Sequence, residues 1–416
     1  MNSIRNILKN NRILVRIADS YEFLIPIRRL IFFNFFLIRK FLTKKNFLEN
    51  ILRHGKILYN NKISNCYATF FKDHTPYLKL HHFEGKSQYA LQLNNVKIIG
   101  SSNVIILGKK YVLYDYNFFE DNNIKFTDSG ILYNTKKYCF IDKTFSATEI
   151  ESGIALNGNF SNNYCHLLIE IISKFQILKE LNINRDIPIV LDKICLSHSQ
   201  FMELITFFNT EKRKLIYIEP RQIYNVMNLV YLSSPNFIAP NFKDLLGSQI
   251  TFGLLNFKSF QFIKKTMLNH MVSGSIKKKI FISRKNVSNR RSYNELEVQK
   301  CVEKYGFECY FPENDSIAEQ IFVFKNAEII VGATGAALTN LVFCDNKCKV
   351  ICLASYPLHY SPFITIAAFV GLKIYTLHDN NLIISKKTNI QSGFSISIAE
   401  LESTLDSIMF KKITIR

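Results

Sequence analysis

Glu328 to Phe343 reads EIIVGATGAALTNLVF. A run rich in β-branched residues, AEIIVG (Ala327 to Gly332), meets a glycine turn and then an apolar stretch. This predicts a buried strand, a tight turn and a helix opening at Gly335. The flanking sequence repeats the alternation. Upstream, KKIFISR (Lys278 to Arg284) reads as a strand. Asn294 to Tyr305 reads as a helix, with Val298, Cys301, Val302 and Tyr305 on one face and Gly306 as its stop. CYF (Cys309 to Phe311) is a short strand. Ser316 to Glu319 is a capping box for a helix whose Ile317, Ile321 and Phe324 face inward. Downstream, KVICL (Lys349 to Leu353) and KIYTL (Lys373 to Leu377) are strands, and Ser397 to Phe410 is a closing amphipathic helix. Alternating β and α units of this kind imply a parallel sheet with helices on both faces.

Further toward the N-terminus the same α/β texture recurs. Asn163 to Leu181 predicts a helix, IPIVL (Ile187 to Leu191) a strand, Ser199 to Asn209 a helix and KLIYI (Lys214 to Ile218) a strand. Ile223 to Leu232 is β-prone. The irregular SSPNFIAPNF, with Pro235 and Pro240, marks the approach to a domain boundary, and Asp244 to Val272 reads as a bridging helix. Between 61 and 150 the pattern is β-rich, with VKIIG (Val96 to Gly100), VIILG (Val104 to Gly108) and YVLYDY (Tyr111 to Tyr116) as successive hairpin strands. The expected organisation is a basic helical segment over 1–60, an N-terminal domain over 61–240, a C-terminal domain over 241–395 and a closing helix over 396–416.

The chain of 416 residues carries 53 Lys+Arg against 33 Asp+Glu, a formal charge of +20, and its 48% hydrophobic content excludes a disordered chain. The charge asks for an anionic partner: nucleic acid, acidic membrane surface or phosphorylated ligand. Nine Cys, an odd count with no C-x-x-C pair, argue against a secreted disulfide framework and for a reducing cytoplasm. Cys344, Cys348 and Cys352 recur every four residues, yet no His stands at zinc-like spacing, so no metal site is expected. The first 20 residues do not read as a signal peptide. Within Tyr21 to Lys45, the longest apolar block, Leu30 to Ile38, is shorter than the roughly 20 residues needed to span a bilayer. Arg28, Arg29, Arg39, Lys40, Lys44 and Lys45 bracket it, the composition of a helix lying on an anionic membrane surface or docked on its own domain.

Three clusters carry candidate chemistry. The turn at Thr334, Gly335, Ala336 and Ala337 would expose N–H groups at a helix N-terminus, beyond the carboxyl end of a strand, a setting that suits a phosphate. It has neither G-x-G-x-x-G nor a Walker lysine. In ISRKNVSNRRSYNE (Ile282 to Glu295), Arg284, Arg290 and Arg291 are placed to clamp a diphosphate, or form a solvated basic loop. In NYCHLLIE (Asn163 to Glu170), His166 and Glu170 stand at i, i+4, so the carboxylate could orient a basic imidazole.

Taken together, N-x-Y-x-H-L-L-I-E, I-S-R followed by R-R-x-x-N-E, S-I-A-E-Q-I (Ser316 to Ile321) and V-G-A-T-G-A-A-L-T-N (Val331 to Asn340) resemble glycosyltransferase family 61 in order and spacing, over roughly residues 150 to 355. The resemblance implies a GT-B-like fold, with two Rossmann-like domains facing a cleft. It also implies an inverting transfer of a sugar from a nucleotide-sugar donor to a glycan acceptor, as in bacterial capsule or surface-polysaccharide synthesis. Three positions depart from the family: Thr334 where many relatives have His, Cys352 where a Glu is common, and Leu167 where an aromatic often follows the motif His. The UDP-sugar preference of the eukaryotic members therefore does not transfer.

Under this resemblance His166 is the expected base, with Glu170 as orienter or as the base itself. The diphosphate falls to Arg284, Arg290 or Arg291 and to the Gly335–Ala336 helix start. Asn294 and Glu295 would hold that loop or reach the nucleotide, and Gln320 and Asn340 likewise. No D-x-D occurs, so neither metal nor other cofactor is expected. The expected partners are a nucleotide sugar, a glycan or lipid-linked glycan and an anionic membrane surface, at the cytoplasmic face of the membrane; self-association stays open. Rival readings are a polysaccharide pyruvyl transferase-like enzyme, against which R-R-x-x-N-E and T-G-A-A-L-T-N argue, a catalytically inactive relative, and a basic membrane- or nucleic-acid-binding protein. No nucleic-acid signature accompanies the dispersed Lys and Arg.

Overall fold

The computed structural model describes residues 36–43, 46–61, 64–72, 75–85, 88–114, 128–134, 137–142, 148–238, 253–287, 292–355, 361–379 and 393–410. It is a mixed α/β protein whose parallel strands fall into two groups. In the first, β1 (Thr148–Ala155), β2 (Ile189–Asp192), β3 (Leu215–Ile218) and β4 (Ile223–Leu232) run parallel in the order β3-β2-β1-β4. In the second, β5 (Lys279–Ile282), β6 (Glu308–Tyr310), β7 (Ile329–Ala333), β8 (Lys349–Ala354) and β9 (Lys373–His378) run parallel in the order β6-β5-β7-β8-β9. Each order reverses direction once, between β1 and β4 and between β5 and β7. Loops leaving the carboxyl ends of such neighbours splay apart and leave a crevice for a ligand.

Beyond β4 the first sheet continues antiparallel through Gln88–Ile99, Ile105–Leu107 and Tyr111–Leu113, the hairpin strands expected from the sequence. It then takes in Phe36–Phe41, paired parallel with Tyr111–Leu113 on one side, a further parallel pair outside the two groups, and antiparallel with Tyr138–Asp142 on the other. This corrects the helical reading of residues 36–41. A short apolar run suits a strand as well as a helix; here Phe41 and Leu42 are buried, and the Phe41 ring packs 5.8 Å from Tyr114. Within the segment 1–60, Phe47–His54 is helical; residues 1–35 lie outside the described residues. Among the described residues no helix is long and apolar enough to cross a membrane.

Other local expectations change in detail. Asp244 to Val272 is not one helix: Gly253–Asn256 is a strand pairing with Ser64–Lys72, and the helix is Phe257–Leu268, capped by the Asn256 side chain. The Ser316 capping box forms as expected, and Gly306, at φ 78, ends the helix Glu295–Glu303. The helix that opens after Gly335, Ala336–Phe343, is a 3-10 helix. Phe260, Ile263 and Met267 of the helix Phe257–Leu268 belong to a buried cluster that takes in Ile154, Leu168 and Leu204 from around the first sheet and Ile280, Ile321, Leu338 and Phe343 from around the second. Both Glu203 carboxylate oxygens accept N–H groups from the start of the helix Ile317–Asn326, at 2.7 Å from Ile317 and 3.0 Å from Ala318. A side chain of the first group thus caps a helix of the second, which fixes the two relative to each other.

Candidate active site

The carboxyl ends of β5 and β7 bring two of the sequence clusters together. Ile282 of β5 lies opposite Gly332 of β7, so the residues just beyond each strand are neighbours. Arg284 Nη1 donates to the Thr334 carbonyl oxygen at 2.9 Å. A Cβ on Gly335 would lie 3.4 Å from the Arg284 guanidinium carbon, an ordinary contact distance, so the cation lies close along this stretch of backbone. Gly335, Ala336 and Ala337 are half-buried, and the 3-10 helix Ala336–Phe343 begins there, so its first N–H groups fall at this turn. A half-buried guanidinium beside a helix start is a pairing suited to a phosphate ester.

Other predicted residues brace this turn. Glu295, buried, accepts the Ser283 hydroxyl and the Arg284 backbone N–H, each at 2.7 Å. Asn294 accepts the Ile396 N–H at 2.9 Å and donates to the Ile396 carbonyl at 3.0 Å, which ties the turn to the chain entering the closing helix. Arg290 and Arg291 lie outside the described residues. Thr334 and Cys352 are both buried, Thr334 donating its N–H to the Leu353 carbonyl and Cys352 lying beside Gly332 in β8.

The third cluster stands beyond the carboxyl end of β1. The chain from Tyr164 to Glu180 is helical throughout, but its middle, Leu167–Ile171, is a π-helical turn, a widening common at functional sites. His166 Nδ1 lies 2.6 Å from Glu170 Oε2. The other carboxylate oxygen, Oε1, accepts the Ile238 N–H at 3.0 Å, and the Ser234 hydroxyl donates to the Glu170 carbonyl at 2.9 Å. Both come from the chain after β4, so the SSPNFI segment supports the His–Glu pair. Glu170 is 5% exposed and His166 15%, so the carboxylate is walled in while the ring keeps an open edge. Phe160 packs its ring 4.8 Å from the imidazole.

A chain of side chains joins the two clusters. Tyr164, two residues before His166, donates its hydroxyl to Asn340 Oδ1 at 2.6 Å. Asn340 Nδ2 donates to Gln320 Oε1 at 2.8 Å, and Gln320 Nε2 donates to the Pro312 carbonyl at 2.8 Å. Burial holds the Tyr164 hydroxyl well above its usual range, so it stays a donor. Asn340 and Gln320 are buried and committed to this chain. Their geometry makes them the link between the His166 helix and the helix after Gly335.

Among the described residues no group of three or more His, Cys, Asp or Glu is arranged to hold a metal ion. Cys344 and Cys348 are buried, and burial drives the Cys344 thiol well above its usual range.

Phe160, Ser234 and Ile238 carry no local sequence signal that marks them as part of the site. The Pro-containing run around Ser234 looked like a boundary because its hydrogen-bond partners are distant in sequence.

A family model described as Glycosyltransferase 61 matches residues 164–351, from the tyrosine that begins the His166 helix to the middle of β8. No curated protein matches the chain.

Proposed function

We propose that this protein, assigned to glycosyltransferase family 61 over residues 164–351, is an inverting sugar transferase. Its donor is a nucleotide sugar and its acceptor a glycan of a bacterial capsule or surface polysaccharide. The observation that supports the reading is the Tyr164–Asn340 hydrogen bond, which ties the helix of the His166–Glu170 pair to the helix that opens after Gly335 beside Arg284. An inverting transfer needs a base on the acceptor side and positive charge at the leaving diphosphate. With Nδ1 facing Glu170, the imidazole presents Nε2 to the acceptor hydroxyl. That nitrogen takes the proton as the oxygen attacks the anomeric carbon from the side opposite the diphosphate. Glu170 stabilises the imidazolium that results. Arg284 and the helix start after Gly335 receive the charge that grows on the diphosphate oxygens, with Arg290 and Arg291 as further candidates for the same task. The two crevices facing each other would form a GT-B-like cleft, the donor over β5 and β7 and the acceptor over β1 and β4.

Thermal-shift screening of a panel of nucleotide sugars, followed by turnover with a lipid-linked glycan acceptor, tests the reading. We expect one donor class to stabilise the protein and to be consumed at an unchanged rate in EDTA, because arginine and backbone dipoles supply the charge that a D-x-D-bound metal would. EDTA inactivation reversed by manganese would overturn metal independence, and a panel with no hit would overturn the donor assignment.

A nascent glycan on a lipid carrier would place the enzyme at the cytoplasmic membrane face, held by the basic, Phe-rich N-terminus. Because Phe41 and Leu42 are core residues, the informative deletion removes residues 1–35, with Arg28, Arg29, Phe32, Phe33 and Phe35, and spares the strand Phe36–Phe41. That variant is expected to lose co-sedimentation with anionic vesicles at physiological salt while staying folded. Unchanged sedimentation would remove the N-terminus from membrane binding.

A further inference from the structure

Phe160 sits in the loop between β1 and the His166 helix, and its backbone φ is +61°. A bulky residue in the left-handed region is strained; glycine or asparagine would occupy the position more readily. The surrounding loop is fixed so firmly that the strain persists. Gly158 N–H donates to Asp192 Oδ2 at 2.9 Å, while Asp192 Oδ1 accepts the Ser101 N–H. Asn157 Nδ2 donates to the Ser102 carbonyl at 2.9 Å, and Asn159 N–H donates to Asn103 Oδ1 at 3.3 Å. Asp128 in turn holds the 102–103 turn, accepting the Ser102 hydroxyl and, at 3.0 Å, the Asn103 N–H. Asp192, Asp128, Asn157 and Asn159 are all buried. Burial pushes the Asp192 carboxyl up to about 6, against the pull of the Gly158 and Ser101 N–H groups and of Lys174. A Cβ on Gly158 would fall 3.2 Å from Ile171, so the loop also lies tight against the π-helical turn.

What this scaffold delivers is one aromatic ring. Phe160 lies 4.8 Å from His166, its plane tilted 34° to the imidazole, on a ring whose Nδ1 already faces Glu170. Phe160 is half-buried, so filling the core does not account for an aromatic at a strained position. We propose that Phe160 is a positioning residue. Its ring covers one face of the His166 imidazole, keeps Nδ1 against Glu170 and shields that hydrogen bond from water. The inference rests on the role given to His166 above and deepens it.

The test is NMR of the full chain with selectively 15N-labelled histidine, using His166→Gln to assign the His166 signals. In the wild type, a single imidazole form with a slowly exchanging Nδ1–H is expected. Phe160→Asn fits the left-handed backbone and is expected to melt at or above the wild-type temperature, with Nδ1–H exchange about tenfold faster. Phe160→Tyr keeps the ring and is expected to restore slow exchange. Wild-type exchange in Phe160→Asn, fast exchange in Phe160→Tyr, or a Phe160→Asn protein that fails to fold would each overturn the proposal, the last by making the ring structural. These outcomes are read without any sugar donor, so a failure of the transferase reading would appear in the nucleotide-sugar panel alone.

Discussion

Replacing His166 by alanine is expected to slow sugar transfer by about 10²- to 10⁴-fold, the usual range for removing a general base, while donor affinity stays near wild type. The separation follows from geometry. His166 stands on the helix after β1, whereas the proposed donor contacts stand beyond β5 and β7. Losing the imidazole removes the proton acceptor and leaves the diphosphate cradle in place. His166→Ala is a cleaner probe than any change at Glu170. The Glu170 carboxylate also accepts the Ile238 N–H, so its loss would loosen the chain after β4 together with the base. Added imidazole in the assay should recover part of the lost rate in His166→Ala, as expected when a base is missing from an otherwise intact site. Wild-type turnover in this variant would remove His166 from the base role and leave Glu170 as the remaining candidate.

Arg284→Met should weaken binding of the donor's nucleoside diphosphate by about 10- to 100-fold, the scale of one or two charge-assisted hydrogen bonds. Isothermal titration with the nucleoside diphosphate of whichever donor the panel identifies gives the measurement. Methionine keeps much of the side-chain volume, so the change removes charge and donors more than packing. Arg284→Lys should restore little. Lysine presents a point charge and cannot both reach the Thr334 carbonyl and span two phosphate oxygens. The wild-type affinity should fall as salt is raised, and more gently in Arg284→Met. An unchanged affinity in Arg284→Met would shift the diphosphate to Arg290 and Arg291 or move the donor elsewhere.

The candidate site was legible in unequal parts. The His166–Glu170 pair was readable because residues four apart on a helical segment share a face, and the π-helical turn preserves that proximity. Arg284 was readable as the residue leaving a strand. The roles of Asn340 and Gln320 were left open by the sequence between loop and ligand; the structure shows Asn340 bonded to both Gln320 and Tyr164. Their contacts bridge the chain, Tyr164 and Asn340 being 176 positions apart, and no local pattern records such a pair. Phe160 gave no signal either. Its left-handed conformation is imposed by Asp192, Asn103 and the turn they hold, not by its own preference.

By itself, the sequence determined what depends on near neighbours. The parallel strands, the Ser316 capping box, the Gly306 stop and the helix over 295–303 all follow from apolar spacing, turn residues and caps within a few positions of one another. Only the tertiary structure decided the strand orders, and with them which loops meet. Strand order is set by pairing between distant segments, and a buried strand presents much the same apolar run wherever it is inserted. The same holds for residues 36–41, whose short apolar run with two adjacent basic residues suits a membrane-facing helix or a sheet strand equally. Hydrogen bonds to Tyr111–Leu113 and Tyr138–Asp142 settled it as a strand.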